Sequence, residues 1–296
     1  MSLGATSAGW SKPSSFRPQH NTPNAETAVC IVGSMRGFSH PNVTNSLQHV
    51  LHQLSCGHRR ADVFLYLKLD ESCSAGISCG SVRPSSFSTD EFAKAVHAMQ
   101  PIALDLEDRM PDAGHAHRQA SSCNGSKYGP VCVSGREYSC KFEQQFDKIR
   151  KCYDMVVAYE KRMNIQYRWV ARIRPDIMLQ GNPQLHFCSN SHDGSRVETY
   201  RNSRTYGDHF ARLTRSDAHI YFSAVRAANH CVPLQELQRG CHLKIQHGDK
   251  VMPECLLTHH MMLHRLSLMD HSKQIHVRGG LLRSDRTVRN DVDAWW

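Results

Sequence analysis

The sequence predicts an α/β domain whose core is a mostly parallel sheet with helices on both faces. Three observations carry this expectation. Short apolar runs without polar alternation recur, beginning with Ala28-Val29-Cys30-Ile31-Val32, and such runs mark strands buried on both faces. Segments of helical period separate them. The two kinds of segment alternate from residue 28 to residue 106, and a strand, helix, strand order closes as parallel strands joined by right-handed crossovers.

Gly33 closes the first strand and Ser34-Met35-Arg36-Gly37-Phe38 follows it. Two glycines around an arginine make a turn where backbone approaches a ligand closely and Arg36 meets an anion. An ordinary β-to-α turn with a solvated arginine reads equally well. Pro41 to Cys56 then sets Val43, Leu47, Val50, Leu51 and Leu54 at helical spacing, with proline in the first turn. Asp62 to Leu67 reads as the second strand. Ser88-Thr89-Asp90-Glu91 has the form of a capping box and opens a helix through Met99, and Ile102 to Leu106 makes the third strand.

From Glu107 to Cys140 the pattern lapses into a long loop with Cys123, Cys132 and Cys140. His115 and His117 lie in it, but the spacings match no familiar zinc site, so a disulfide or a plain loop is the preferred reading. Phe142, Phe146, Ile149, Tyr153, Val156, Val157 and Met163 recur at three and four residues and predict a helix over Lys141 to Met163. That helix feeds Tyr167 to Leu179, read as a buried strand that runs into Pro175 and delivers Asp176 behind Arg172 and Arg174. Ligands of open α/β sheets bind at such carboxyl ends.

Beyond Leu179 the expected strands are shorter, at Gln184 to Phe187 and Val197 to Tyr200. Asp208 is placed in a loop or strand end just before a helix that starts at Thr214 and continues from Ala218 to Asn229. Pro253-Glu254 opens another helical run, Cys255 to Leu266, where Glu254 is a favourable charge in a first turn. His260 and His264 stand four apart on it without the acid of a His-Glu-x-x-His site, so core or surface roles are preferred to ligation. The expected organisation is a flexible Ser/Pro-rich stem over 1–26, one domain over 27–277, and a tail over 278–296 that folds back or lies loose.

Composition bounds the function without choosing it. The 36 basic and 27 acidic residues give a net charge of +9 with no long run of one sign, which favours an anionic ligand in general terms rather than a specific nucleic acid. No Gly-x-Gly-x-x-Gly follows the first strand, so a dinucleotide-binding enzyme is not expected. The stem holds neither an apolar signal core nor a membrane span. Twelve cysteines without a Cys-x-x-Cys pair, and glycosylation acceptors in form at Asn42-Val43-Thr44 and Asn124-Gly125-Ser126, favour a disulfide-bearing secretory-pathway lumen over the cytoplasm.

Five short motifs stand in a recognisable order. Val29 to Phe38 resembles the opening strand and Gly-x-x-Arg turn of sugar-nucleotide-dependent glycosyltransferases of the GT-A type, and Asp62 to Leu67 looks like their second strand. Arg172-Ile173-Arg174-Pro175-Asp176-Ile177 is similar to the Arg-x-Arg-Pro-Asp segment that in such proteins replaces Asp-x-Asp. Gly207-Asp208-His209-Phe210 and Pro253-Glu254-Cys255-Leu256-Leu257 resemble two later acidic motifs. The resemblance spans Ala28 to Leu263 and implies a Rossmann-like, GT-A-like single domain.

The resemblance also implies chemistry. A nucleoside-diphosphate sugar would be the donor, bound by Gly33, Arg36, Arg172, Arg174 and Asp176, with a glycan or protein hydroxyl as acceptor and the Golgi as compartment. Asp208 or Glu254 would take the acceptor proton in an inverting reaction. Asp176 is the metal candidate: one carboxylate plus diphosphate oxygens can hold Mn²⁺ or Mg²⁺, while Arg174 in place of an acid allows arginine to neutralise the leaving diphosphate without metal. The alternatives are a non-enzymatic polyanion- or nucleic-acid-binding α/β protein and a transferase-like fold that no longer catalyses.

Overall fold

The computed structural model describes residues 25–35, 37–55, 60–68, 89–107, 136–180, 197–202, 205–225, 253–266, 278–282 and 288–289. Arg36, Cys123, Cys132, His115, His117, the 184–187 strand and nearly all of the stem lie outside the described residues.

Six strands form the main sheet: β1 (Thr27–Ser34), β2 (Asp62–Lys68), β3 (Ala103–Glu107), β4 (Trp169–Ile173), β6 (Val197–Asn202) and β7 (Thr205–Thr214), in the order β3-β2-β1-β4-β7-β6. β1 runs parallel to both β2 and β4, and β2 parallel to β3. β7 is antiparallel to β4 and to β6. The sheet is therefore mostly parallel with an antiparallel edge, and its 3-2-1-4 run is the Rossmann-like order.

The uninterrupted apolar runs arise because both faces are covered. Val29 and Ile31 pack with α1 (Pro41–Leu54) and α2 (Thr89–Met99) on one side. Ala28, Cys30 and Val32 pack on the other side with α3 (Arg136–Met163), α4 (Arg215–Phe222) and α5 (Pro253–Leu263). A proline in the first turn and an accepting His40 ring start α1. Asn164, at φ 50°, stops α3 in the left-handed conformation that asparagine tolerates.

The structure departs from the expected elements in four places, and the tail takes one of its two expected courses. The helix over 141–163 starts earlier, at Arg136, so Cys140 is helical rather than part of the long loop. The strand over 167–179 is two strands: β4 ends at Ile173, and β5 (Ile177–Gln180) belongs to a separate three-stranded sheet. Pro175 lies in that break, where it has no N–H to give to a ladder. Asp208 is inside β7, not in a segment leading directly to a helix. Helix α4 stops at Phe222, where Ser223 returns its hydroxyl and amide to the Ile220 carbonyl. The tail folds back: β8 (Arg278–Leu282) pairs antiparallel with β5, and β9 (Val288–Arg289) with β8.

At the edge where β2 and β4 begin, Tyr167 ties the sheet to α3. Its hydroxyl donates to Asp62 Oδ2 at 2.6 Å, and its backbone amide donates to Glu160 Oε1 at 3.0 Å. Burial first, and the bond to Asp62 second, push the phenol well above its ordinary 10.0. The folded value exceeds the unfolded one, so the associated stability is whole below pH 10 and declines as the pH rises past it. Tyr167→Phe is expected to lower stability by about 1–3 kcal/mol at neutral pH. In urea titrations it should also flatten the loss above pH 10.

Candidate functional site

The topological switch point of this sheet lies between β1 and β4, the strands from which the chain order departs in opposite directions. In open α/β sheets ligands bind beyond the carboxyl ends of the strands at that point. Pairing of Thr27 with Trp169 and Ile31 with Ile173 carries Gly33 alongside Pro175, just past the end of β4. The contact is close: a Cβ on Gly33 would sit 2.9 Å from Pro175 Cδ and 3.4 Å from Cγ. Gly33 also adopts φ +151°, which residues with a side chain rarely take. Gly33 and the Arg-Pro-Asp turn are thus built against each other.

Asp176, immediately after Pro175, is buried at 3% exposure. Arg174 grips it with two bonds, Nε to Oδ1 at 2.9 Å and Nη2 to Oδ2 at 2.8 Å. The guanidinium keeps a partly exposed side while its fork is held by the carboxylate. Such a bidentate pair fixes the plane of the arginine.

The third motif arrives from β7. Ile173 pairs with Phe210, and the Arg174 amide donates to the His209 carbonyl at 3.0 Å. The backbone of Asp208 therefore runs beside the Arg174–Asp176 turn. Gly33, Arg174, Asp176 and the Asp208 backbone gather at one end of the sheet.

Two further expected site residues lie within β4 and in the first turn of α5. Arg172 is 2% exposed within β4, in register with Cys30, and its Nη1 donates to the Tyr221 hydroxyl at 3.4 Å. It neighbours the buried Cys152 thiol, which burial pushes up, as does a hydrogen bond with Cys30. Glu254 is in the first turn of α5, half-buried, and its carbonyl accepts from the Thr258 hydroxyl at 2.7 Å. That helix packs against β7 and α4.

The Asp176 carboxylate is engaged by arginine. Both Asp176 oxygens face the Arg174 guanidinium, and the described residues contain no group of three or more His, Cys, Asp or Glu that could hold a metal ion. Arg174 offers positive charge to an anion here.

Sequence reasoning missed Lys68. It ends β2 in register with Ser34 of β1, its carbonyl accepts from the Met35 amide at 3.1 Å, and it is 5% exposed. The usable cue was a lysine directly after the apolar run at the carboxyl end of a parallel strand.

No known protein family and no curated protein sequence matches the chain. Among solved structures, apo glycosyltransferase GlyE of Streptococcus pneumoniae TIGR4 matches at 9% identity and TM-score 0.32, over 83% of this chain and 46% of its own. A second GlyE structure matches at 12% identity and TM-score 0.31, over 83% and 45%. Apo mouse xyloside xylosyltransferase 1 matches at 10% identity and TM-score 0.32, over 83% and 84%. The chain spans less than half the length of the GlyE structures. The fold reading rests on strand order rather than on these likenesses.

Proposed function

We propose that this chain is a glycosyltransferase that moves a sugar from a nucleoside diphosphate to a glycan or protein hydroxyl. The observation that carries the reading is the meeting of Gly33, Arg174, Asp176 and the Asp208 backbone at the switch point of a Rossmann-like sheet. Loss of the diphosphate leaving group requires charge neutralisation held in place beforehand. Arg174, oriented by Asp176, supplies it, and Arg36, three residues after Gly33 in the sequence, is the proposed second cation. Arg172 contributes positive potential from within the sheet rather than direct contact. Arginine, not a metal, is the proposed counter-charge.

Asp208 is the favoured base, because its strand neighbour His209 is bonded to Arg174; Glu254 is the alternative. A secretory-pathway lumen is the proposed compartment, supported by the twelve cysteines and the two glycosylation acceptors. The polyanion-binding alternative gains little support, since Arg172 and Arg212 are buried in strands and not on a basic surface stripe.

Thermal unfolding with UDP, GDP or CDP tests the reading. One of them at a hundred times its Kd should stabilise the fold by about 2.7 kcal/mol, a rise of about 5 °C or more, without added Mn²⁺. No shift with any of the three, with or without metal, would overturn it.

A further inference from the structure

A lysine is almost never fully buried unless something pairs with its charge. Lys68 is 95% buried by its 5% exposure, yet among the described residues its ammonium makes no hydrogen bond or ion pair. Its register partner on β3 is Glu107, whose carboxylate accepts instead from the Tyr66 hydroxyl at 3.3 Å. Lys151, the other cation near Tyr66, is paired with Asp147 at 2.8 Å. Glu107 and Asp147 are thus directed to other groups.

Position says where the missing negative charge belongs. Lys68 stands at the carboxyl end of β2, level with Ser34, on the side of β1 opposite to Pro175 and Asp176. Adjacent strands are about 4.8 Å apart, so Lys68 and the Arg174–Asp176 turn bracket the Gly33 turn with about 10 Å between their backbones. Two long cationic side chains reaching inward from those positions can grip one diphosphate-sized anion lying over Gly33 and Ser34.

We propose that Lys68 is a second anion-binding residue of this site, holding a phosphate or pyrophosphate group from the β2 side while Arg174 holds it from the β4 side. The proposal rests on the anion-binding reading of the switch point given above. A compact ammonium suits a shared phosphate oxygen as a point charge, and the planar fork of Arg174 suits a fixed edge.

The test uses the full chain and inorganic pyrophosphate as probe, by calorimetric titration and thermal unfolding of wild type, Lys68→Met and Lys68→Arg. Ligand-free Lys68→Met should melt at or above the wild-type temperature, because the lysine it replaces has no partner among the described residues. Its pyrophosphate affinity should fall by about ten-fold or more, with Lys68→Arg retaining part of the binding. A large drop in the ligand-free melting temperature of Lys68→Met would overturn the proposal, since it would show a partner within the protein. So would unchanged pyrophosphate affinity in that variant, or no pyrophosphate binding by wild type. If wild type binds pyrophosphate through Lys68 but no nucleoside diphosphate, the transferase reading fails and the anion site stands. If wild type binds a nucleoside diphosphate that Lys68→Met binds equally well, the lysine assignment fails and the transferase reading stands.

Discussion

Gly33→Ala is expected to lose about 3 kcal/mol of stability and to abolish nucleotide binding. Two costs combine. The new Cβ would lie 2.9 Å from Pro175 Cδ, a ring atom with little freedom to withdraw, and overpacking of that kind costs about 1–3 kcal/mol. The backbone at φ +151° adds about 1–3 kcal/mol of strain for any residue with a side chain. Relief by either route moves the Arg174–Asp176 turn away from β1. Urea unfolding reads the stability, and nucleoside diphosphate titration reads the site. Pro175→Ala removes the clashing ring atoms, so the double variant should recover part of the steric loss and none of the backbone strain. A Gly33→Ala protein as stable as wild type would show that the two turns are not in contact.

Asp176→Asn is expected to reduce transfer by about 100-fold or more while lowering stability by about 2 kcal/mol. Removing one charge of a fully buried pair costs about 3–5 kcal/mol, but the Arg174 side chain is 23% exposed, so water screens part of the loss. The larger effect falls on chemistry. The substituted amide would keep one acceptor oxygen and place its N–H₂ against the other half of the fork, so the arginine plane would turn. Mispositioned electrostatic groups lose about 10²–10³ in rate. Steady-state assays with the donor identified by the thermal shifts would measure it. Full activity in Asp176→Asn would remove Asp176 from the site, whereas Arg174→Lys should lose activity because a point charge cannot replace the fork.

The parallel half of the fold was legible because its cues are local and strong. A strand buried on both faces must be apolar throughout, as Ala28 to Val32 and Val63 to Leu67 are. An amphipathic helix must repeat at three and four residues, as Val43, Leu47, Val50, Leu51 and Leu54 do. β7 was less legible because Gly207-Asp208-His209 resembles a turn by propensity, and it belongs to the strand through the paired residues on either side of it, Thr205 and Tyr206 against β6 and Phe210 to Thr214 against β4. The division between β4 and β5 was hidden for a related reason. Apolar residues continue across Pro175, and the partner that draws Ile177–Gln180 into another sheet lies at Arg278–Leu282.

Within the site, the sequence pointed to Gly33, Arg174 and Asp176 through their places at strand ends and the order of their motifs along the chain. It could not separate Arg172 from Arg174. Two residues of strand decide between a guanidinium held under Tyr221 and one at the sheet edge. Nor could it show that Lys68 is buried, since a lysine after an apolar run usually marks the point where a strand meets water.

The pairing of β5 with β8 also sets an order in time. Ile177 emerges from the ribosome long before its partner Leu281. At about 5–20 residues translated per second, the strand that follows Asp176 waits about 5–20 s for the segment that secures it. The nascent chain can assemble its parallel sheet early, but the turn carrying Asp176 is anchored on both sides only after Arg278–Leu282 has been made.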